Sequence, residues 1–135
     1  MNPHSIEIRV YYEDTDFSGI VYHASYLRFC ERGRTEYLRA LGISQSALFD
    51  LPEAERRSFV VRSMVCEFLK TAKVDDVLTV STKIIDQKRA SLTMRQAVRR
   101  CKDTIFTADV RIACLDAEGR PARLPGALKA SVNPA

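Results

Sequence analysis

Ile6, Ile8 and Val10 alternate with Glu7 and Arg9 near the start of the chain, and this two-residue period predicts a strand over residues 5–12 with one buried face. A polar stretch over residues 13–19 breaks the alternation. From residue 23 to residue 41 the period changes: Tyr26, Cys30, Gly33 or Arg34, Tyr37 and Leu41 recur at steps of three and four, one face of a helix about five turns long. Gly42 follows as its C-terminal cap. Gly33 inside that helix costs roughly 1 kcal/mol relative to alanine, so its presence predicts a neighbour packed too close for a side chain. Residues 44–49 read as a short second helix with Ser44 as N-cap, followed by a loop over residues 51–57.

Four segments rich in Val, Ile, Thr and Phe follow, at residues 58–69, 77–86, 91–101 and 104–115. The breaks between them are short, which predicts hairpins and an antiparallel sheet, with turns at residues 86–90 and 102–103. Val60, Val61 and Met64 are expected in the core. Residues 116–135, with Gly119, Pro121, Pro125 and Pro134, read as turn and tail. One helix cannot cover both faces of a five-stranded antiparallel sheet, so the chain gains by pairing its sheet edge or open face with another copy. At least a dimer is expected.

Composition narrows this α+β picture to a single domain over residues 1–135, with 46% hydrophobic and 28% charged residues. No apolar run approaches the ~20 residues of a spanning helix and the first residues do not resemble a secretory signal, so a soluble, cytoplasmic protein is expected. Cys30, Cys66, Cys101 and Cys114 are scattered without a C-x-x-C pair, which argues against zinc and for reduced thiols; no metal is expected. The net charge of +4 suits an anionic ligand, a membrane surface or nucleic acid. Lys88 and Arg89 sit at a turn, and Arg95, Arg99, Arg100 and Lys102 follow in the next segment, where solvated strand edges explain them well. No aromatic residues interleave with that run and no nucleic-acid motif appears, so no nucleic-acid partner is expected. Peripheral attachment of a basic oligomer to anionic lipid stays open.

The candidate chemistry lies in YYEDTDFSGIVYHASY, residues 11–26, the turn between the first strand and the start of the long helix. The first backbone N–H groups of a helix lack internal partners and can hold an anion or a developing oxyanion. A carboxylate beside them gives a base or nucleophile next to an oxyanion hole, and Asp16 is placed for that role. Taken alone, Asp14 and Asp16 read first as turn-forming and capping residues, since aspartate favours both roles. His23 also reads as an ordinary polar residue at a helix start, Glu13 as surface, and Ser18 lacks the G-x-S-x-G elbow of a serine nucleophile.

The run RVYYEDTDFSGIVYHASYLRFCERGRTEYL, residues 9–38, carries the pattern D-T-D-x-x-G-x-V-Y-H-x-x-Y and closely resembles the signature of the 4-hydroxybenzoyl-CoA thioesterase family of hotdog-fold proteins. Within that family it is most similar to the Tol–Pal-associated acyl-CoA thioesterases. The similarity continues through FVVRSMVCEFLKTAKVDDVLTV to ARLP near the end. The resemblance implies a long helix wrapped by a five-stranded antiparallel sheet, dimerising edge to edge with active sites at the interface. Pairing of such dimers and association with the inner membrane are further expectations from it.

The resemblance also implies roles. Asp16 is the catalytic carboxylate, a nucleophile acting through an anhydride or a general base on water. The backbone N–H of Tyr22 or His23 polarises the thioester carbonyl, and the His23 ring positions substrate or water or transfers protons. Lys88, Arg89 and Ser91 are candidates to hold the phosphates of coenzyme A, for which cationic side chains suit. Val60 and Val61 are candidates for the acyl pocket, contributed by either subunit. The substrate is an acyl-CoA or an acyl carrier protein thioester, and no cofactor is implied. Phe17 and Ser18 depart from the small or proline residues usual in relatives, which bears on the local pocket shape. Two other functions compete: a hotdog enoyl-CoA hydratase or dehydratase using Asp16 with His23, and a non-catalytic basic binding or scaffold module.

Overall fold

The computed structural model describes residues 3–131. Strand β1 (His4–Arg9) leads through a 3-10 turn (Tyr12–Asp14) to helix α1 (His23–Ala40), which is followed by the short helix α2 (Gln45–Phe49). Strands β2 (Ser58–Phe68), β3 (Val77–Gln87), β4 (Ser91–Arg100) and β5 (Asp103–Leu115) complete one sheet of order β1-β3-β4-β5-β2. Every neighbouring pair is antiparallel.

β1 ends three residues before the sequence pattern suggested, because Asp14 accepts the Tyr11 N–H at 2.8 Å and curls the chain out of the strand. Tyr11 and Tyr12 consequently face solvent, whereas Ile8 and Val10 stay in the core. The expected hairpins join β3 to β4 and β4 to β5. The break after β2 is not a hairpin: β2 pairs with β5 at one edge, and residues 70–76 cross to β3, next to β1 at the other. The crossing spans three strand spacings, about 14 Å, on the side of the sheet where α1 begins.

α1 buries Tyr26, Phe29, Cys30, Gly33, Tyr37 and Leu38 against the curled sheet. Gly33 is forced by that packing: a Cβ there would lie 2.8 Å from Val80 Cγ1 and 3.1 Å from both Gln96 Nε2 and Thr82 Oγ1. Gln96 is fully buried beneath it, donating to Cys30 O at 2.8 Å and Thr82 Oγ1 at 2.9 Å while its carbonyl accepts from Arg34 at 3.0 Å. A buried amide with its donors and acceptor engaged fixes the height of the helix over the sheet instead of weakening the core. The helix ends as its glycine requires, with Gly42 at φ +83° and the Ile43 N–H turned back to Leu38 O at 2.9 Å.

Two expectations about the core need correction. Val60 and Val61 are 41% and 46% exposed and Met64 is half-buried, because β2 is an edge strand. Val65 and Phe68 on the same strand are exposed as well. The segment after β5 is more than a tail, since Ala122, Leu124 and Leu128 are buried, Leu124 N–H donates to Arg89 O at 2.9 Å and Gln87 donates to Leu128 O. Residues 132–135, including Pro134, lie outside the described residues.

The basic run is largely paired. Arg95 makes a two-pronged contact with Asp109 at 2.9 and 3.1 Å, Arg100 bonds Asp76 at 2.9 Å, and Arg99 donates to Thr104. All four cysteines are free thiols, Cys30 and Cys114 buried and Cys101 exposed. No helix of the described residues is long and apolar enough to cross a membrane.

Candidate active site

The turn between β1 and α1 is fastened from both sides. Thr15 bridges to Val21, Asp16 N–H donates to Ile20 O at 3.1 Å, and Gly19 N–H returns to Asp16 O at 3.0 Å. Gly19 closes this loop at φ +84°, a conformation other residues adopt at a cost. Ile20 then bridges to Lys73, and Val21 N–H donates to Ala72 O at 2.8 Å, tying the turn to the segment that crosses between β2 and β3.

The two aspartates of the turn divide their duties. Asp14 is buried and structural: its carboxylate caps Tyr11, and its carbonyl accepts both Tyr22 N–H and Ser25 Oγ at 2.9 Å. Asp16 is exposed. Its Oδ1 accepts from the Ser18 hydroxyl and from Ser18 N–H at 2.9 Å, and these donors, with His23 contributing, hold its carboxyl below the usual aspartate value of 3.8. Asp16 is therefore ionised at neutral pH, as a nucleophile or general base must be. Phe17 beside it is fully exposed.

At the helix start, the Tyr22 N–H is already engaged by Asp14 O, which corrects the expectation that it could serve equally as an oxyanion donor. Ser25 N–H is turned to Tyr22 O at 2.8 Å. The N–H groups of His23 and Ala24 have no acceptor among the described residues, so both are open donors at the helix start. The exposed His23 ring lies 4.4 Å from the Tyr22 ring and edge-on to Phe68 at 6.2 Å. Phe68 in turn packs against Tyr26 and Phe106, which stack on each other at 5.1 Å. This aromatic platform was missed in the sequence; the in-register pairing of Phe68 with Phe106 that creates it depends on β2 lying beside β5.

The remaining candidates lie elsewhere. Lys88 and Arg89 are exposed on the β3–β4 turn, where they line a hollow of about 330 Å³ with Gln87, Arg123 and Leu124. Ser91 closes the turn through its carbonyl, which accepts Lys88 N–H at 2.8 Å. Arg123, folded back from the terminal segment, is a cation that the strand pattern could not place there. Val60 and Val61 line a cavity of about 150 Å³ beside α1, together with Arg34, Leu38, Met94 and Ile112.

Asp16 sits at the Val77 end of β3 and Lys88 just beyond its other end, eleven residues along. β3 alone covers ten residue steps, about 33 Å at about 3.3 Å per residue, so within one chain the carboxylate and the cations do not share a site.

A five-stranded antiparallel sheet curled around one long helix is the hotdog fold. The sequence profile of the Thioesterase-like superfamily matches residues 10–132, and the chain belongs to that family. It is 40% identical over 131 residues, 96% of its own length and 94% of the relative's, to Acyl-CoA thioesterase YbgC of Haemophilus influenzae. It is 43% identical over 125 residues, 91% of this chain and 90% of the relative, to Acyl-CoA thioester hydrolase YbgC of Escherichia coli O6:H1. The crystal structure of a Bartonella henselae protein called a probable thioesterase superposes with a TM-score of 0.88 at 44% identity, covering 91% of this chain and 99% of the other.

Proposed function

We propose that the chain hydrolyses acyl-CoA thioesters as a homodimer, with Asp16 attacking the carbonyl or activating the attacking water. The observation that carries this reading is the exposed Asp16 carboxylate, held by Ser18 in the turn that leads into the open His23 N–H at the N-terminus of α1. A thioester is already reactive and needs mainly a positioned carboxylate and a donor for the developing oxyanion. The His23 N–H supplies that donor, and the His23 ring, steadied by Tyr22 and Phe68, positions water or carries a proton. The leaving thiolate takes up a proton as coenzyme A departs. Neither metal nor cofactor takes part in these steps.

The dimer reading is supported by the exposed edge of β2 and by the separation of Asp16 from Lys88 and Arg89. In the sheet, Ser58 lies opposite Leu115 and Ser91 opposite Ala113, so the first residues of β2 share an end with the basic turn. Phe68, at the other end of β2, lies by His23. Two-fold antiparallel pairing of β2 with its copy sets the basic end of one subunit beside the catalytic end of the other. The phosphates of a CoA thioester at Asp16 then meet the partner's Lys88, Arg89 and Arg123, and its acyl group meets the partner's Val60 and Val61. A cytoplasmic location fits such a substrate, as does an acyl carrier protein donor, which presents the same thioester.

The test is free-thiol release from short, long and aromatic acyl-CoAs by the wild type and by Asp16→Asn. Loss of 10²–10⁴ or more in kcat with the fold intact is expected. Undiminished turnover by Asp16→Asn overturns the assignment. Hydration of an enoyl-CoA without thiol release identifies a hydratase instead.

A further inference from the structure

The cavity beside α1 is apolar except on its helix side. Leu38, Val61, Met94 and Ile112 give it an oily wall, while Arg34 enters it with a half-buried guanidinium. One N–H of that guanidinium is fixed at 3.0 Å on the carbonyl of fully buried Gln96. The other side-chain N–H groups of Arg34 have no acceptor, and no carboxylate lies within ion-pair distance, among the described residues. Burial pulls the Arg34 pKa below the usual arginine value, with Cys30 and Glu31 acting in the opposite direction. Glu31, one turn earlier, lies exposed at the rim, within 3.4 Å of the Thr35 hydroxyl. A partly desolvated cation held by a neutral amide, with its nearest acid out at the rim and beyond ion-pair distance, attracts an anion and repels an alkyl chain that would strip its remaining water.

We infer that Arg34 is the specificity-determining residue of the acyl pocket, and that it selects short acyl groups ending in a carboxylate over saturated groups of the same length. This rests on the hydrolase reading and on the paired arrangement that presents one subunit's cavity to the other's Asp16. The size of the cavity sets the length. About 150 Å³ holds an occupant the size of benzene, about six carbons. A chain of that length ends at the guanidinium, which meets a carboxylate with two parallel N–H donors. A longer saturated chain has to run past the guanidinium and is disfavoured.

The experiment compares adipyl-CoA with hexanoyl-CoA, six carbons each, by kcat/KM of thiol release. The wild type is expected to favour adipyl-CoA by about tenfold or more, chiefly through KM, since a polar site discriminates against an analogue that leaves it unpaired. Arg34→Met should bring the ratio to about one or invert it. Arg34→Lys, which keeps the charge and loses the two-pronged contact, should retain part of the preference, and Glu31→Gln should enlarge it by removing the acid at the rim. These last two variants still report if Arg34→Met does not fold. Equal or greater activity on hexanoyl-CoA by the wild type, or a preference that survives Arg34→Met, overturns the inference. Failure on both six-carbon substrates while other acyl-CoAs turn over overturns it and leaves the hydrolase reading standing. Absence of turnover on every acyl-CoA removes both.

Discussion

Gly33 of α1 and Val80 of β3 are packed so closely that a single added methyl would stand 2.8 Å from the valine Cγ1. Val80 is fully buried and cannot swing away, and Gln96 and Thr82 close the other sides at 3.1 Å. Gly33→Ala therefore sets a helix-propensity gain of up to about 1 kcal/mol against overpacking that costs typically 1–3 kcal/mol. A net loss of about 1–2 kcal/mol is expected, read as a lower urea midpoint with an unchanged m-value. A stability equal to the wild type would show that the helix can lift off the sheet freely.

The two aspartates of the β1–α1 turn should respond oppositely to substitution. Asp14→Ala removes the cap on Tyr11 from a buried position and should lower stability by about 1–2 kcal/mol while the folded fraction keeps measurable turnover. Asp16→Asn should leave the melting temperature nearly unchanged and remove activity. Thermal melts and thiol release on the same two samples decide it; equal losses of both properties in both variants would refute the division.

Ser18 supplies the main cause of the lowered Asp16 pKa, through its hydroxyl and then its backbone N–H. Activity that needs the ionised carboxylate is full above that pKa and is lost as pH falls through it. The acid limb of the wild-type kcat/KM profile therefore lies below pH 3.8 so far as Asp16 alone sets it. Ser18→Ala keeps the N–H and loses the hydroxyl, so the limb should move upward toward the ordinary value. An unmoved limb would detach Ser18 from the chemistry.

Lys88, Arg89 and Arg123 surround one hollow at the β3–β4 turn. If they hold phosphate, replacing each by alanine should raise KM for acyl-CoA several-fold with kcat little changed, and should flatten the dependence of KM on salt. Thioesters truncated to the pantetheine arm, which lack the nucleotide phosphates, should be indifferent to the same substitutions.

The periodicities placed α1 and the five strands within one to three residues of where they lie, because each has a clear buried face. Gly33 was legible for the same reason: a residue that weakens a helix is tolerated where the packing demands it. The position of β2 was not legible, since local alternation says nothing about which strands pair. That one ambiguity hid the exposure of Val60 and Val61 and the Phe68 platform under His23, while the approach of Arg123 to Lys88 was hidden by the return of the terminal segment onto the β3–β4 turn. Asp14 and Asp16 carry the same side chain two positions apart, and their separate duties appear only in which backbone donors each one meets.

The 33 Å between the two ends of β3 has a kinetic consequence. If the carboxylate and the phosphate cradle come from different subunits, as proposed, the complete site exists only in proportion to the assembled form, and turnover per chain becomes a function of enzyme concentration. On the proposed β2 pairing, protein diluted below the dissociation constant of that edge should lose its hold on acyl-CoA, seen as a raised KM, and concentration alone should restore it.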